Sequence, residues 1–186
     1  MVYCLCISVC LLFDFIFLKW RKEMAILKPV GVIIGSISDS NTMKYCLDVL
    51  DDENIYYDEI VASAHREPNK VKSWVDSAPA RGNKVIIAAA GMAAALPGVV
   101  ASFTSLPVIG VPMTSELNGM DSLLSISQMP KGVPVACMSI GKAGAINAAL
   151  FAKQILDLIP VKSNRVIHQG WPGDGDEPSN GIWRDD

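Results

Sequence analysis

The feature that most constrains this chain is a repeated alternation, between Pro29 and Leu158, of short apolar runs with longer amphipathic ones. Val30-Gly31-Val32-Ile33-Ile34 is apolar at every position, the pattern of a strand covered on both faces. Four more runs with strand character follow: Ile55 to Ala62, Lys84 to Ala90, Leu106 to Val111 and Val133 to Ile140. Between and after them lie helical patterns at Asn41 to Asp51, Asn69 to Ala80, a segment ending near Phe103, Asp121 to Met129 and Ala143 to Leu158. Strands alternating with helices imply right-handed crossovers and a parallel sheet with helices on both faces. Five such units fit an α/β, flavodoxin-like, doubly wound fold with a five-stranded parallel sheet in the order 2-1-3-4-5. The periodicity gives the class; the strand order comes only from the fit to that fold.

The 186 residues are about 51% hydrophobic, enough for one domain with a large core. The repeating pattern assigns 24–160 to that domain and leaves two ends outside it. Residues 1–23 are almost wholly apolar from Val2 to Trp20, interrupted by Asp14 and followed by Arg21 and Lys22. A membrane anchor, a signal peptide and sequence upstream of a true start at Met24 compete for this stretch. The last is preferred, because the ordered pattern begins just after Met24, so membrane contact is not expected. Residues 161–186 are read as an irregular or disordered tail, rich in Gly, Pro and Asp from Gln169 to Asp186, in which His168 is incidental.

A net charge of −3 without a basic stripe speaks against a nucleic-acid partner. An anionic ligand must then be held by local groups. The five cysteines include no CxxC pair and none beside a histidine, so no metal site is expected. Cys46 and Cys137 read as small buried hydrophobes of a reducing, cytoplasmic compartment.

Ser63-Ala64-His65-Arg66-Glu67-Pro68 follows the second strand, at the carboxyl edge where open parallel sheets bind ligands. His65 brings an imidazole, the side chain suited to acid–base work, and Arg66 a fixed cation; the alternative is a surface turn in which Ser63 or Glu67 caps the next helix. Gly35-Ser36-Ile37-Ser38-Asp39 joins the first strand to the first helix. Such a junction offers free backbone N–H groups to an anion. Gly35 permits close approach, Ser36 and Ser38 supply hydroxyl donors, and Asp39 suits a sugar hydroxyl better than a phosphate. An ordinary cap by Ser38, Asp39 or Ser40 is compatible with this. Neither a Walker loop nor GxGxxG is present. Ala88 to Gly98 is small enough for a flat ligand to lie on the backbone, or for close helix packing. Ser125 to Val135 contains a loop stiffened by Pro130, Gly132 and Pro134. Gly141 to Ala149 opens the last helix with small residues suited to close contacts.

Taken together, GSISDS, SAHREP, AGMAAALPG, LPVIGVP, DSLLSISQMPKGVPVA and IGKAGAINAAL closely resemble the class I N5-carboxyaminoimidazole ribonucleotide mutases, the phosphoribosylaminoimidazole carboxylase catalytic subunit family, over roughly Val30 to Leu156. The resemblance implies an isomerase of de novo purine synthesis that moves a carboxylate from an exocyclic nitrogen to a ring carbon. It implies a 5′-phosphate held by Ser36, Ser38 and Arg66, ribose hydroxyls on Asp39, and His65 as proton shuttle. The aminoimidazole and its carboxylate would lie near Gly91, with Ser63, Ala90 and Leu96 completing the substrate site. It further implies no metal or other cofactor, a homo-octamer built partly from the last helix, and functional coupling to the ATP-dependent carboxyaminoimidazole ribonucleotide synthase that supplies the small-molecule carbamate.

The sequence departs from that family in three places. Ala95 stands where a second histidine is usual, Met92 where a glycine is common, and the usual helical tail is not recognisable after Leu158. Two other functions stay open at this level. One is a class II carboxylase taking free CO2, which Arg66 and Leu96-Pro97-Gly98 disfavour. The other is a non-catalytic nucleotide-binding relative, supported by Ala95 and the unusual ends.

Overall fold

The computed structural model describes residues 27–159. The extension at 1–23, its three cysteines, the tail at 161–186 and His168 lie outside the described residues. A single sheet runs β1 (Val30–Ile34), β2 (Tyr57–Val61), β3 (Val85–Ala90), β4 (Val108–Pro112) and β5 (Ala136–Cys137), all parallel, in the order 2-1-3-4-5. The helices are α1 (Ser40–Asp52), α2 (Pro68–Asp76), α3 (Ala78–Arg81), α4 (Leu96–Ser102), α5 (Met120–Ser127) and α6 (Lys142–Asp157).

The continuous apolar runs became the three central strands. Every residue of β1, β3 and β4 is buried. Alternate side chains feed two cores. Val30, Val32, Ile34, Val85, Ile87, Ala89, Ile109 and Val111 pack under Met43, Cys46 and Leu50 of α1 and the alanines of α6. Ile33, Ile86, Ala88, Ala90 and Val108 pack under α2 to α5 through Val71, Val75, Ala78, Leu96, Val100 and Ile126. At about 25 cal/mol per Å2 of buried apolar surface, these two layers supply the main driving force for folding.

Three expectations shift. The strand at Val133 to Ile140 contracts to Ala136–Cys137. Pro134 has no N–H to give a ladder, and the chain must turn beyond Met138 to start α6, where a Cβ on Gly144 would lie 1.6 Å from the Ser139 carbonyl oxygen. The helix expected at Asn69 to Ala80 breaks at Ser77, because Pro79 cannot continue the N–H ladder. Cys46 is fully buried, and that burial, with the Glu59 charge second, pushes its thiol pKa up to about 12. Cys137, expected to be buried, is only partly so, since edge strand β5 has no neighbour beyond it.

The amino-terminal edge is closed by a polar knot. Asn83, 2% exposed, donates to the Lys28 carbonyl at 2.6 Å and to Asp58 Oδ1 at 2.7 Å. Arg81 donates to Asn83 Oδ1, pairs with Asp58 at 2.7 Å and stacks on Trp74. The opposite edge is left for loops. There β1 is flanked by β2 and β3, so the chain order reverses across it and opens a crevice beyond the strand ends.

Candidate active site

Each wall of the crevice is a loop leaving the carboxyl end of a strand. After β1, Gly35 donates to the Ala89 carbonyl at 2.9 Å, and Ser36 is extended. Ser36 Oγ accepts from Ser38 N at 3.4 Å and from Ser38 Oγ at 2.8 Å, closing a single 3-10 turn, Ile37–Asp39, that runs into α1. The capping side chain is thus Ser36, not Ser38, Asp39 or Ser40. Asp39 occupies the cap position of α1 without a side-chain cap bond. Burial raises its carboxyl pKa, and the Ser38 hydroxyl beside it opposes that in part.

After β2, Ala62 N–H donates to the Ile34 carbonyl at 2.9 Å, and Glu67 N–H to the Ser63 carbonyl at 2.8 Å. Ser63 Oγ accepts from Arg66 N at 3.4 Å. Pro68 then opens α2, with Glu67 at its cap position making no side-chain bond. The turn thus lies at the surface and projects exposed His65 and Arg66.

After β3, Met92 adopts φ 57°, a left-handed conformation unusual for a side chain of that size. The chain folds tightly from there into α4, with Ala94 N–H donating to the Met92 carbonyl at 2.9 Å. Met113 N–H bonds the Ala90 carbonyl at 2.9 Å and so keeps the β4 loop against this turn.

These loops enclose a cavity of about 660 Å3. All nine residues singled out from the sequence line it: Ser36, Ser38, Asp39, Ser63, His65, Arg66, Ala90, Gly91 and Leu96. A smaller recess of about 410 Å3 shares Gly35, Ser36 and Arg66 and adds Ile37, Val61 and Glu67. The small-residue run divides its work. Ala88 and Ala89 are fully buried in the two cores, while Ala90 to Leu96 form cavity wall. Ala95, at the head of α4, faces the cavity.

Two other motifs do not reach the cavity within this chain. Met129 packs on α4, where a Cβ on Gly98 would lie 2.8 Å from its sulfur, and the small residues of α6 are buried under the sheet. Sequence reasoning missed Thr114, Ser115 and Glu116, which also line the cavity. The available signal was their place just beyond the fourth strand, at the same sheet edge as the other loops.

The wall offers hydroxyls, one guanidinium, one imidazole and two carboxylates, Asp39 and Glu116, while the backbone N–H groups expected free at the first junction are taken up locally, Asp39 N–H by the Ser36 carbonyl and Ser40 N–H by the Ile37 carbonyl. Among the described residues no three His, Cys, Asp or Glu side chains gather as a metal site, and no helix is long and apolar enough to cross a membrane. Fold and site define a flavodoxin-like α/β protein with a small-molecule crevice at the point where strand order reverses.

Comparison with known proteins narrows that class. The AIR carboxylase family model matches residues 29–169, and the chain belongs to that family. It is 61% identical over 128 residues to the N5-carboxyaminoimidazole ribonucleotide mutase of Bacillus subtilis (strain 168), covering 68% of this chain and 79% of the relative. The mutase of the same name from Pseudomonas aeruginosa is 56% identical, covering 68% and 78%. Among solved structures, Treponema denticola PurE superposes with a TM-score of 0.63 at 30% identity, covering 70% of this chain and 81% of that one.

Proposed function

We propose that the protein is an N5-carboxyaminoimidazole ribonucleotide mutase of purine biosynthesis. The observation that carries this reading is the convergence on one cavity of His65, Arg66, the Ser36–Asp39 loop and the Gly91 turn, in a chain of the AIR carboxylase family. Ser36, Ser38 and Arg66 hold the 5′-phosphate; the guanidinium supplies charge-assisted bonds and the two serines their hydroxyls. Asp39 accepts from the ribose hydroxyls. The aminoimidazole lies against Ala90, Gly91 and Leu96, with Ser63 bracing the turn that carries His65 and Arg66.

The carbamate on the exocyclic nitrogen loses CO2. The enclosed molecule stays beside the ring carbon, which supplies the proximity advantage, while exclusion of water prevents escape and hydration. His65 gives its proton to nitrogen as CO2 leaves; the ring carbon then attacks CO2, and His65 takes back the proton from that carbon. An imidazole suits both transfers because its ring nitrogens can both donate and accept a proton. No metal or organic cofactor enters this scheme.

The protein acts in the cytoplasm as a homo-octamer, receiving the labile carbamate from the ATP-dependent synthase. Exposed Tyr45 and Leu150, on α1 and α6, are available to such an assembly. The test is turnover of the carbamate without added bicarbonate, alongside sedimentation of the active species. Bicarbonate-dependent carboxylation of aminoimidazole ribonucleotide would instead mark a carboxylase, and binding without turnover a non-catalytic relative.

A further inference from the structure

Ser115 lines the cavity but belongs to none of the sequence motifs. It follows β4, two strands across from the β1 serines, roughly 10 Å at the usual strand spacing. A Cβ on Gly91 would lie 3.9 Å from Ser115 Cβ, so this serine borders the glycine turn rather than the serine loop. Its hydroxyl donates to Asp121 Oδ1 in the first turn of α5. That bond is the main reason the Asp121 carboxyl lies below the usual range, with backbone N–H groups of Ser122 and Asp121 adding to it.

The pair is firmly mounted. Ser122 Oγ donates to the Met113 carbonyl at 2.6 Å, and Asn118 N–H to the Ser115 carbonyl at 3.0 Å. A serine has one proton and two lone pairs, and an ionised carboxylate can only accept. With its proton committed to Asp121, Ser115 has only lone pairs to present to the cavity. It therefore selects a ligand group that donates.

We propose that Asp121 is a positioning residue that fixes Ser115 as hydrogen-bond acceptor for the exocyclic N–H of the aminoimidazole, a contact that tightens as the ring carbon captures CO2. The proposal rests on the mutase reading. In that step the amine lone pair moves into its bond to the ring. The adjacent ring C=C pair forms the new bond to CO2, and one C=O pair of CO2 moves onto oxygen. The nitrogen becomes an iminium, and its N–H groups become stronger donors. The ring carbon then loses its proton to His65, and the C–H pair restores the ring. An acceptor at this N–H stabilises the transition state more than the bound substrate, so it acts on kcat rather than KM.

The experiment is steady-state kinetics on Ser115→Ala, Asp121→Ala, the double variant and Ser115→Thr, with circular dichroism confirming the fold. For Ser115→Ala, kcat falls about 10–100-fold with KM within about threefold, somewhat less than the loss of an oxyanion-hole donor. Asp121→Ala also lowers kcat, but causes no further loss in the Ser115→Ala background, because it acts through that hydroxyl. Ser115→Thr, which keeps the hydroxyl, stays within about fivefold of the parent, well short of the alanine loss. Parental kcat in Ser115→Ala, a change confined to KM, or additive losses in the double variant would overturn the proposal while leaving the mutase reading intact. An unmodified protein that fails to turn over the carbamate would remove the mutase reading itself.

Discussion

The same substitution at two glycines separates the frame of this protein from its site. A Cβ at Gly110, in the middle of β4, would lie 2.5 Å from Ile126 Cγ2, 3.1 Å from Val135 Cγ1 and 3.3 Å from Pro97 Cβ. Carbon contacts are comfortable at about 3.5–4.0 Å, so Ile126 would have to retreat by about 1 Å while two other segments also gave way. Overpacking of this kind costs about 1–3 kcal/mol, offset by about 0.4–1 kcal/mol from the stiffer unfolded chain. A net loss of about 1–2 kcal/mol lowers Tm by roughly 4–7 °C for a folded unit of this size, at about 2 cal/mol/K of unfolding entropy per residue.

At Gly35 the nearest atoms to a new Cβ are Ala89 O at 3.4 Å, Ala90 Cβ at 3.6 Å and Leu96 Cδ2 at 3.6 Å, which are ordinary contacts. Gly35→Ala therefore leaves Tm unchanged or raises it by up to about 4 °C, since an unstrained Gly→Ala change stabilises by about 0.4–1 kcal/mol. It loses activity, because Gly35, Ala90 and Leu96 all line the cavity and the methyl takes ligand space. Thermal unfolding followed by circular dichroism, with turnover measured on the same samples, checks both. Equal Tm losses in the two variants, or a Gly110→Ala protein as stable as the parent, would refute the packing argument.

Three further outcomes follow from individual groups. Arg66→Ala weakens substrate binding about 10–100-fold by titration calorimetry, the loss of a charge-assisted contact to phosphate. Asp39→Asn is more stable than the parent at neutral pH. Its parent carboxyl is raised by burial, so the stability it contributes is full below the unfolded carboxylate pKa of about 4 and is lost as pH rises through the folded value. Thermal unfolding between pH 3 and 7 should show the two proteins converging at the acid end. Asn83→Ala costs about 1–3 kcal/mol by urea unfolding, because it leaves the buried Lys28 carbonyl without its amide donor and Asp58 with Arg81 alone.

The central strands were legible because burial on both faces leaves no polar position in the run, as in Val30–Ile34 and Val85–Ala90. The length of edge strand β5 was not, because Val133 to Ile140 looks nearly as apolar while Pro134 and the approach to α6 deny most of it ladder partners. The gathering of the candidate residues around one cavity was legible for a related reason: loops at strand ends converge whenever strands are parallel and adjacent. His65 and Arg66 were conspicuous as rare charged groups in such a loop. Thr114, Ser115 and Glu116 were not, for a short polar run after a strand resembles any connection until Asp121 is seen to hold one of its hydroxyls. The choice of Ser36 as cap was equally hidden, since the three cap candidates Ser38, Asp39 and Ser40 follow it within four positions.

The most direct measurement is single-turnover conversion of the carbamate by His65→Asn beside the parent protein, without bicarbonate. The parent converts the carbamate to the ring-carboxylated product. The variant binds substrate with nearly parental affinity but converts it at least about a hundredfold more slowly, the scale of a lost acid–base group. Conversion by the variant at the parental rate would contradict the assignment of the proton shuttle to His65, and with it the account of how this cavity works.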